Sequence, residues 1–477
     1  MGRRRAAHLG PRGLSVGRPQ EPGRAYRCRV HASQLVGAGP VVQSEALRSG
    51  AVTSRDLTVA TLSAIERENA RLNAVVELLT DEAFDAADEA DRRRGNGEDS
   101  PLLGVPIAIK NDLDVEGHVT RLGSRAFTEP AARDTDLVLD LRRAGLVPVA
   151  STTLPELAIY GFTESVATGI TRNPHDLDRT SGGSSGGSAA LVAAGAVGLA
   201  TASDGAGSIR IPAASCGLVG FKPSHGTLPS SGGWHGLSTQ GCVVPTVADA
   251  ALFLDTLGLF TGSLVEAAGT APEKLRIGVS TSASAATRAE RLDPEVRDAM
   301  SRAAEVLSAC GHEVRDLEIP YGLDAKALTV RYLAGIREKA LTAPDAELLE
   351  KRTRQISRLG APFGARAVAW AGAKGASFGA RIHDDLGVDI LLTPVMSSTA
   401  LPVGRFKGAG GLRTVLGMNA FYPYTAQWNH AGTPAVSLPA GTADDGLPLA
   451  VQLIARVGDD ARLMSVAAQV EAGLREV

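Results

Sequence analysis

Ser181-Gly182-Gly183-Ser184-Ser185-Gly186-Gly187-Ser188-Ala189-Ala190-Leu191-Val192-Ala193-Ala194 sets the reading of this chain. Glycine and serine fill the first half, then give way without a break to an apolar helix start. A flexible linker has the first half of that pattern but no need of the second. A tight loop opening onto a helix needs both, because small residues let the backbone turn and approach a neighbour closely. A phosphate cradle is the other use of such a loop. The pattern GxxxxGK[ST] is absent, since Ser188 stands where its lysine belongs, so nucleotide binding is not supported.

Outward from this loop, strand and helix alternate. Asn73 to Leu79 reads as a strand, Asp81 to Arg94 as an exposed helix and Gly104 to Lys110 as a short β-branched, buried strand. Asp134 to Ala144 looks helical and Leu146 to Ser151 is again a strand. Thr53-Ser54-Arg55-Asp56 resembles a capping box ahead of an apolar periodicity at Leu57, Thr61, Leu62, Ile65 and Leu72. Beyond the Gly/Ser-dense stretch 180–245 come a strand at Lys274–Ser280, a helix at Pro294–Ala309 and a strand at His312–Ile319. A mainly helical segment at 321–388 follows, then strand-like runs at Ile390–Thr393, Ala435–Leu438 and Leu449–Ile454, and a final helix near Asp460–Leu474. This predicts an α/β fold, a single large domain with a mixed, twisted β-sheet covered by helices on both faces. The chain leaves that sheet for the helical segment and rejoins it. No internal repeat and no long linker divide it.

The bulk numbers agree. Of 477 residues, 44% are apolar and 21% charged, with a formal net charge of −3. That is the composition of an ordinary globular protein, without the basic field that nucleic acid attracts. Cys28, Cys216, Cys242 and Cys310 form no CxxC pair, and the nine histidines form no HExxH, so neither a disulfide scaffold nor a dedicated metal site is expected. No apolar run reaches membrane-spanning length, and the cytoplasm is the expected compartment. Residues 1–42 are expected to be a disordered, Arg-rich extension, and residues 43–477 the folded domain. Within the first forty residues Glu21 is the only acid, and no apolar stretch of the kind a secretory signal needs is present.

Three segments carry chemistry: Lys110-Asn111-Asp112 after the apolar strand, the Gly/Ser loop, and Ser203-Asp204-Gly205-Ala206-Gly207-Ser208-Ile209-Arg210-Ile211-Pro212. Amide cleavage by serine requires a base to take the hydroxyl proton, backbone N–H groups aimed at the developing oxyanion, and a proton for the leaving amine. No histidine lies in these segments. A lysine serves as base when burial depresses its pKa, and Lys110 ends a strand where such burial is expected. Taken alone, a lysine is more commonly a solvated surface residue, and Asp204 with Arg210 more commonly a structural ion pair than a catalytic one.

In combination the segments are far more specific. Gly182 to Ala190, Asp204 to Ala213 and Cys216-Gly217-Leu218-Val219-Gly220-Phe221-Lys222-Pro223 resemble the amidase signature. Val105 to Lys110 resembles the lysine strand of that family, and Gly432 to Gly441 with Gly446-Leu447-Pro448 its C-terminal part. The resemblance runs over about residues 43–475, and Phe162-Thr163-Glu164-Ser165 with Thr171-Arg172-Asn173-Pro174 is similar to broad-specificity actinobacterial amidases. It implies Ser208 as nucleophile, Ser184 as a bridging serine held by a cis peptide bond, and Lys110 as base. It further implies an oxyanion hole from the backbone N–H groups of Gly205, Ala206, Gly207 and Ser208. Asp204, Arg210 and Ser185 take supporting places.

The resemblance implies hydrolysis of a small-molecule amide through an acyl-enzyme; no cofactor, metal, nucleic-acid or membrane partner is expected, and a homodimer is an allowed assembly. Asn111 departs from the acidic residue common after the lysine, Ala206 from a usual glycine, and Gly241-Cys242-Val243-Val244-Pro245 from the usual Gly-Pro and arginine. Alternatives within the fold are the glutaminase subunit of an amidotransferase, an acyltransferase and a catalytically silent binding protein. The acyl pocket is expected from 321–388 and from the region Phe421 to Trp428.

Overall fold

The computed structural model describes residues 31–476 except 231–232, 259 and 284–290. Its strands, in chain order, are β1 Val75–Leu78, β2 Pro106–Lys110, β3 Val147–Thr152, β4 Glu164–Ser165, β5 Gly169–Ile170, β6 Ala200–Asp204, β7 Val219–Lys222, β8 Thr239–Val244, β9 Arg276–Val279, β10 Glu313–Asp316, β11 Ile390–Pro394, β12 Ala435–Thr442 and β13 Pro448–Ile454. Apart from the β4–β5 ribbon they form one 11-stranded sheet in the order β1-β3-β2-β6-β8-β7-β12-β13-β11-β9-β10. β2 is parallel to both β3 and β6, and β9 to both β10 and β11. The remaining pairs are antiparallel, so the sheet is mixed.

Side chains of a strand alternate between its faces. In β2, Ile107 and Ile109 join the core cluster that receives Leu137 and Leu141 of the helix Asp136–Arg143. Ala108 faces the other cluster, with Ala189, Ala190 and Leu191 of the helix Gly186–Ala193. Both faces are thus covered and all five residues of β2 are buried, which is why this strand reads as a continuous apolar run. Thr53 caps the helix Ser54–Leu72 by accepting the N–H of Asp56. After β10 the chain departs through helices Asp324–Ala340, Lys351–Leu359 and Ala365–Leu386, then returns at β11.

The packed body begins earlier than residue 43. A 3-10 turn at Ala32–Gln34 and a helix at Pro40–Arg48 precede or straddle that boundary, Leu35 and Val36 are buried, and Val41 N–H donates to Asp249. Apolar residues too few to form a visible periodicity are here buried by distant partners. The rest of the expected extension, residues 1–30, lies outside the described residues. The strands β6, β7 and β8 also escape the sequence reading. Small residues such as Ala200, Ala202 and Ser203 in β6, and the glycines that interrupt β7 and β8, break up the apolar pattern, and pairing decides these strands.

Candidate active site

β2 and β6 run side by side and parallel, so Lys110 and Asp204, their last residues, open at the same sheet edge. Carboxyl ends of parallel strands are where α/β sheets place their sites. Lys110 is fully buried. Its Nζ lies 2.8 Å from Ser184 Oγ, 2.7 Å from Ser203 Oγ and 3.4 Å from Asp112 Oδ2. Ser203 Oγ in turn donates to Asp112 Oδ2. Burial pushes the Lys110 pKa down, and the nearby carboxylates of Asp112 and Asp204 oppose it. The net effect leaves it below the ordinary lysine value.

Ser184 follows a cis peptide bond from Gly183. A side chain at Gly183 would place its Cβ 2.7 Å from Phe162 N and from Tyr160 O, so only glycine lets the loop settle there. Ser185 holds the two serine loops together. Its N–H donates to Ser208 O at 3.3 Å and its hydroxyl to Ser203 O at 3.4 Å.

The turn after β6 is built around one carboxylate. Asp204 Oδ1 accepts the N–H of Gly207 at 2.5 Å, and Oδ2 that of Ile209 at 3.1 Å. Arg210 grips both oxygens, Nε to Oδ2 and Nη2 to Oδ1 at 3.0 Å each, and reaches Gln452 Oε1 at 3.0 Å and Asn429 Oδ1 at 2.7 Å. Burial raises the Asp204 pKa, but Arg210 beside it more than reverses this, holding it well below the carboxylate range. Thr425 Oγ1 donates to Ala206 O at 2.7 Å. Gly207, at φ +121°, sits against Thr425 so closely that a Cβ would fall 2.3 Å from its hydroxyl. Asp204 and Arg210 are therefore the buried structural pair that the sequence favours.

A cavity of about 240 Å³ opens here, bordered at its polar end by Asp112, Ser184, Ser203, Gly205, Ala206 and Ser208. Gly207 departs from the expected hole of four N–H donors: its N–H is taken by Asp204 and it does not border the cavity. The amides of Gly205, Ala206 and Ser208 have no acceptor among the described residues. Leu328, Tyr332 and Leu333 of the helix Asp324–Ala340 and Tyr422 and Gln427 further on line the cavity, within the two expected regions, and Met418 joins them from just before the second. Ile159 and Trp234 add to them from segments the sequence did not mark.

Ser203 and Asp112 are the site residues that sequence reasoning missed. Both stood inside quoted segments, but nothing in one dimension says that they meet Lys110. Asn111 turns away, donating its amide to Ser151 Oγ at 2.8 Å and Val119 O at 3.1 Å. Among the described residues no group of three His, Cys, Asp or Glu could hold a metal, and no helix is long and apolar enough to cross a membrane.

A mixed α/β sheet with a lysine buried against serine hydroxyls at the carboxyl end of an interior strand goes, in this chain, with a class, the amide-hydrolysing enzymes. The chain belongs to the amidase signature family: the family model described as Amidase matches residues 56–464. It is 41% identical over 450 residues to a Mycobacterium tuberculosis protein assigned to the amidases, AmiB2, covering 92% of this chain and 96% of that relative. It is 32% identical over 482 residues to the 6-aminohexanoate-cyclic-dimer hydrolase of Pseudomonas sp., covering 91% of this chain and 94% of the relative. A solved 6-aminohexanoate cyclic dimer hydrolase complexed with substrate superposes with a TM-score of 0.82 at 28% identity, covering 92% of this chain and 97% of that one.

Proposed function

We propose that this enzyme cleaves carboxylic amides by a Ser208–Ser184–Lys110 relay through an acyl-enzyme. The observation that carries the reading is the contact of buried Lys110 Nζ with Ser184 Oγ at 2.8 Å, beside a cavity that Ser208 also lines. Ser203 gives its proton to the Asp112 carboxylate, so it accepts an N–H from Lys110. The lone pair of a neutral Lys110 is thereby left for Ser184.

Neutral Lys110 takes the Ser184 proton, and Ser184 takes that of Ser208 as its oxygen bonds to the carbonyl carbon. The amides of Gly205, Ala206 and Ser208 stabilise the oxyanion. The carbon–nitrogen bond breaks as Ser184 returns a proton to the leaving amine, and Lys110 reprotonates Ser184. Water then enters, loses a proton along the same path, and releases the carboxylate and Ser208. A fluorophosphonate probe tests this: peptide mass spectrometry is expected to find the adduct on Ser208, and its formation to slow strongly in Lys110→Ala. An adduct elsewhere would refute the assignment.

The electrostatics give a pH prediction with a definite sign. Activity needs neutral Lys110, so kcat/KM rises with pH through the lysine's folded-state pKa. Burial lowers that pKa and Asp112 raises it. Asp112→Asn removes the opposing charge, so the acid limb is expected to move to lower pH. An unchanged limb, or one displaced to higher pH, would contradict the coupling.

A further inference from the structure

Away from its polar end the cavity is almost without charge. Of the side chains lining it among the described residues, Asp112 and Lys339 alone are ionisable as acid or amine, and Asp112 is committed to Ser203 and Lys110. The solvent side is unusual for an enzyme mouth. Leu412 and Leu416, one turn apart on the helix Gly411–Phe421, are each 56% exposed, and Leu359, ending the helix Lys351–Leu359, is 37% exposed. All three line the cavity. Large apolar side chains held in water at the rim of an apolar cavity mark a surface that a ligand covers.

We propose that the site selects neutral carboxamides whose acyl chain is an extended apolar group, running from Ser208 along Ile211, Leu328 and Val415 to the leucine lip. The proposal rests on the amide-hydrolase reading above and adds the substrate class. Each methylene buried on the way out strengthens binding, up to about fourfold. Lys339, near the end of the helix Asp324–Ala340, has no acidic partner among the described residues and so disfavours a cationic tail.

The test is a series of straight-chain primary amides from acetamide to decanamide, with N-alkyl acetamides and 6-aminohexanamide alongside. kcat/KM is expected to climb two- to fourfold per methylene on the acyl side, to stay flat along the N-alkyl series, and to be at least about tenfold lower for 6-aminohexanamide than for hexanamide. In Leu412→Asp/Leu416→Asp the climb should flatten for the longest amides, and because both side chains are exposed the fold should persist by circular dichroism. A flat acyl series with acetamide still turned over, a climb confined to the N-alkyl series, or equal rates for the two six-carbon amides would overturn the proposal and leave the hydrolase reading standing. Failure to turn over any amide, short ones included, would strike the hydrolase reading itself.

Discussion

Ser208→Ala is expected to lower amide turnover by about three to six powers of ten while leaving the fold intact. Ser208 is half-exposed at the cavity wall, and its replacement removes one oxygen without opening a void in the core. Its backbone carbonyl still accepts the Ser185 N–H at 3.3 Å, so the loop keeps its anchor. Residual activity should reflect binding and the remaining N–H donors, as it does when known serine hydrolases lose their nucleophile. The decisive measurement pairs kcat with a thermal unfolding curve. Near-normal turnover in a folded variant would mean that another group attacks the carbonyl.

Arg210→Met should strike stability first. Arg210 is fully buried and donates to Asp204, Gln452 and Asn429 at once. Removing it strands the Asp204 carboxylate in the interior, and breaking one side of a buried ion pair costs about 3–5 kcal/mol. Asp204 also organises the turn that carries Gly205, Ala206 and Ser208. Activity should therefore fall together with the urea midpoint. Arg210→Lys keeps the charge but loses the fork that spans both carboxylate oxygens, so it should recover only part of the loss. A methionine variant within about 1 kcal/mol of the parent would show that Asn429 and the backbone N–H groups satisfy Asp204 unaided.

The two effects differ in kind. Ser208 stands at the end of the network, bordering the cavity, and its loss is felt by the reaction. Arg210 stands behind it, does not itself border the cavity, and its loss is felt by the turn.

Sequence alone determined the α/β class, the buried lysine strand and the loops holding Ser184 and Ser208. Each of these is local: a β-branched run bounded by turns, a Gly/Ser loop opening a helix, and a carboxylate followed by a glycine-rich turn. It also favoured Asp204 and Arg210 as a structural ion pair, and the two are paired and buried. Tertiary structure alone decided that Ser203 and Asp112 meet Lys110, that Gly207 spends its N–H on Asp204, and that the chain packs from Ala32 onward. It also built β6, β7 and β8 from short segments interrupted by small residues, and brought leucines of two helices to one rim. These features arise between segments distant in the chain. Burial depth, proton direction and amide orientation follow from which segments touch, and no periodicity within a segment encodes that.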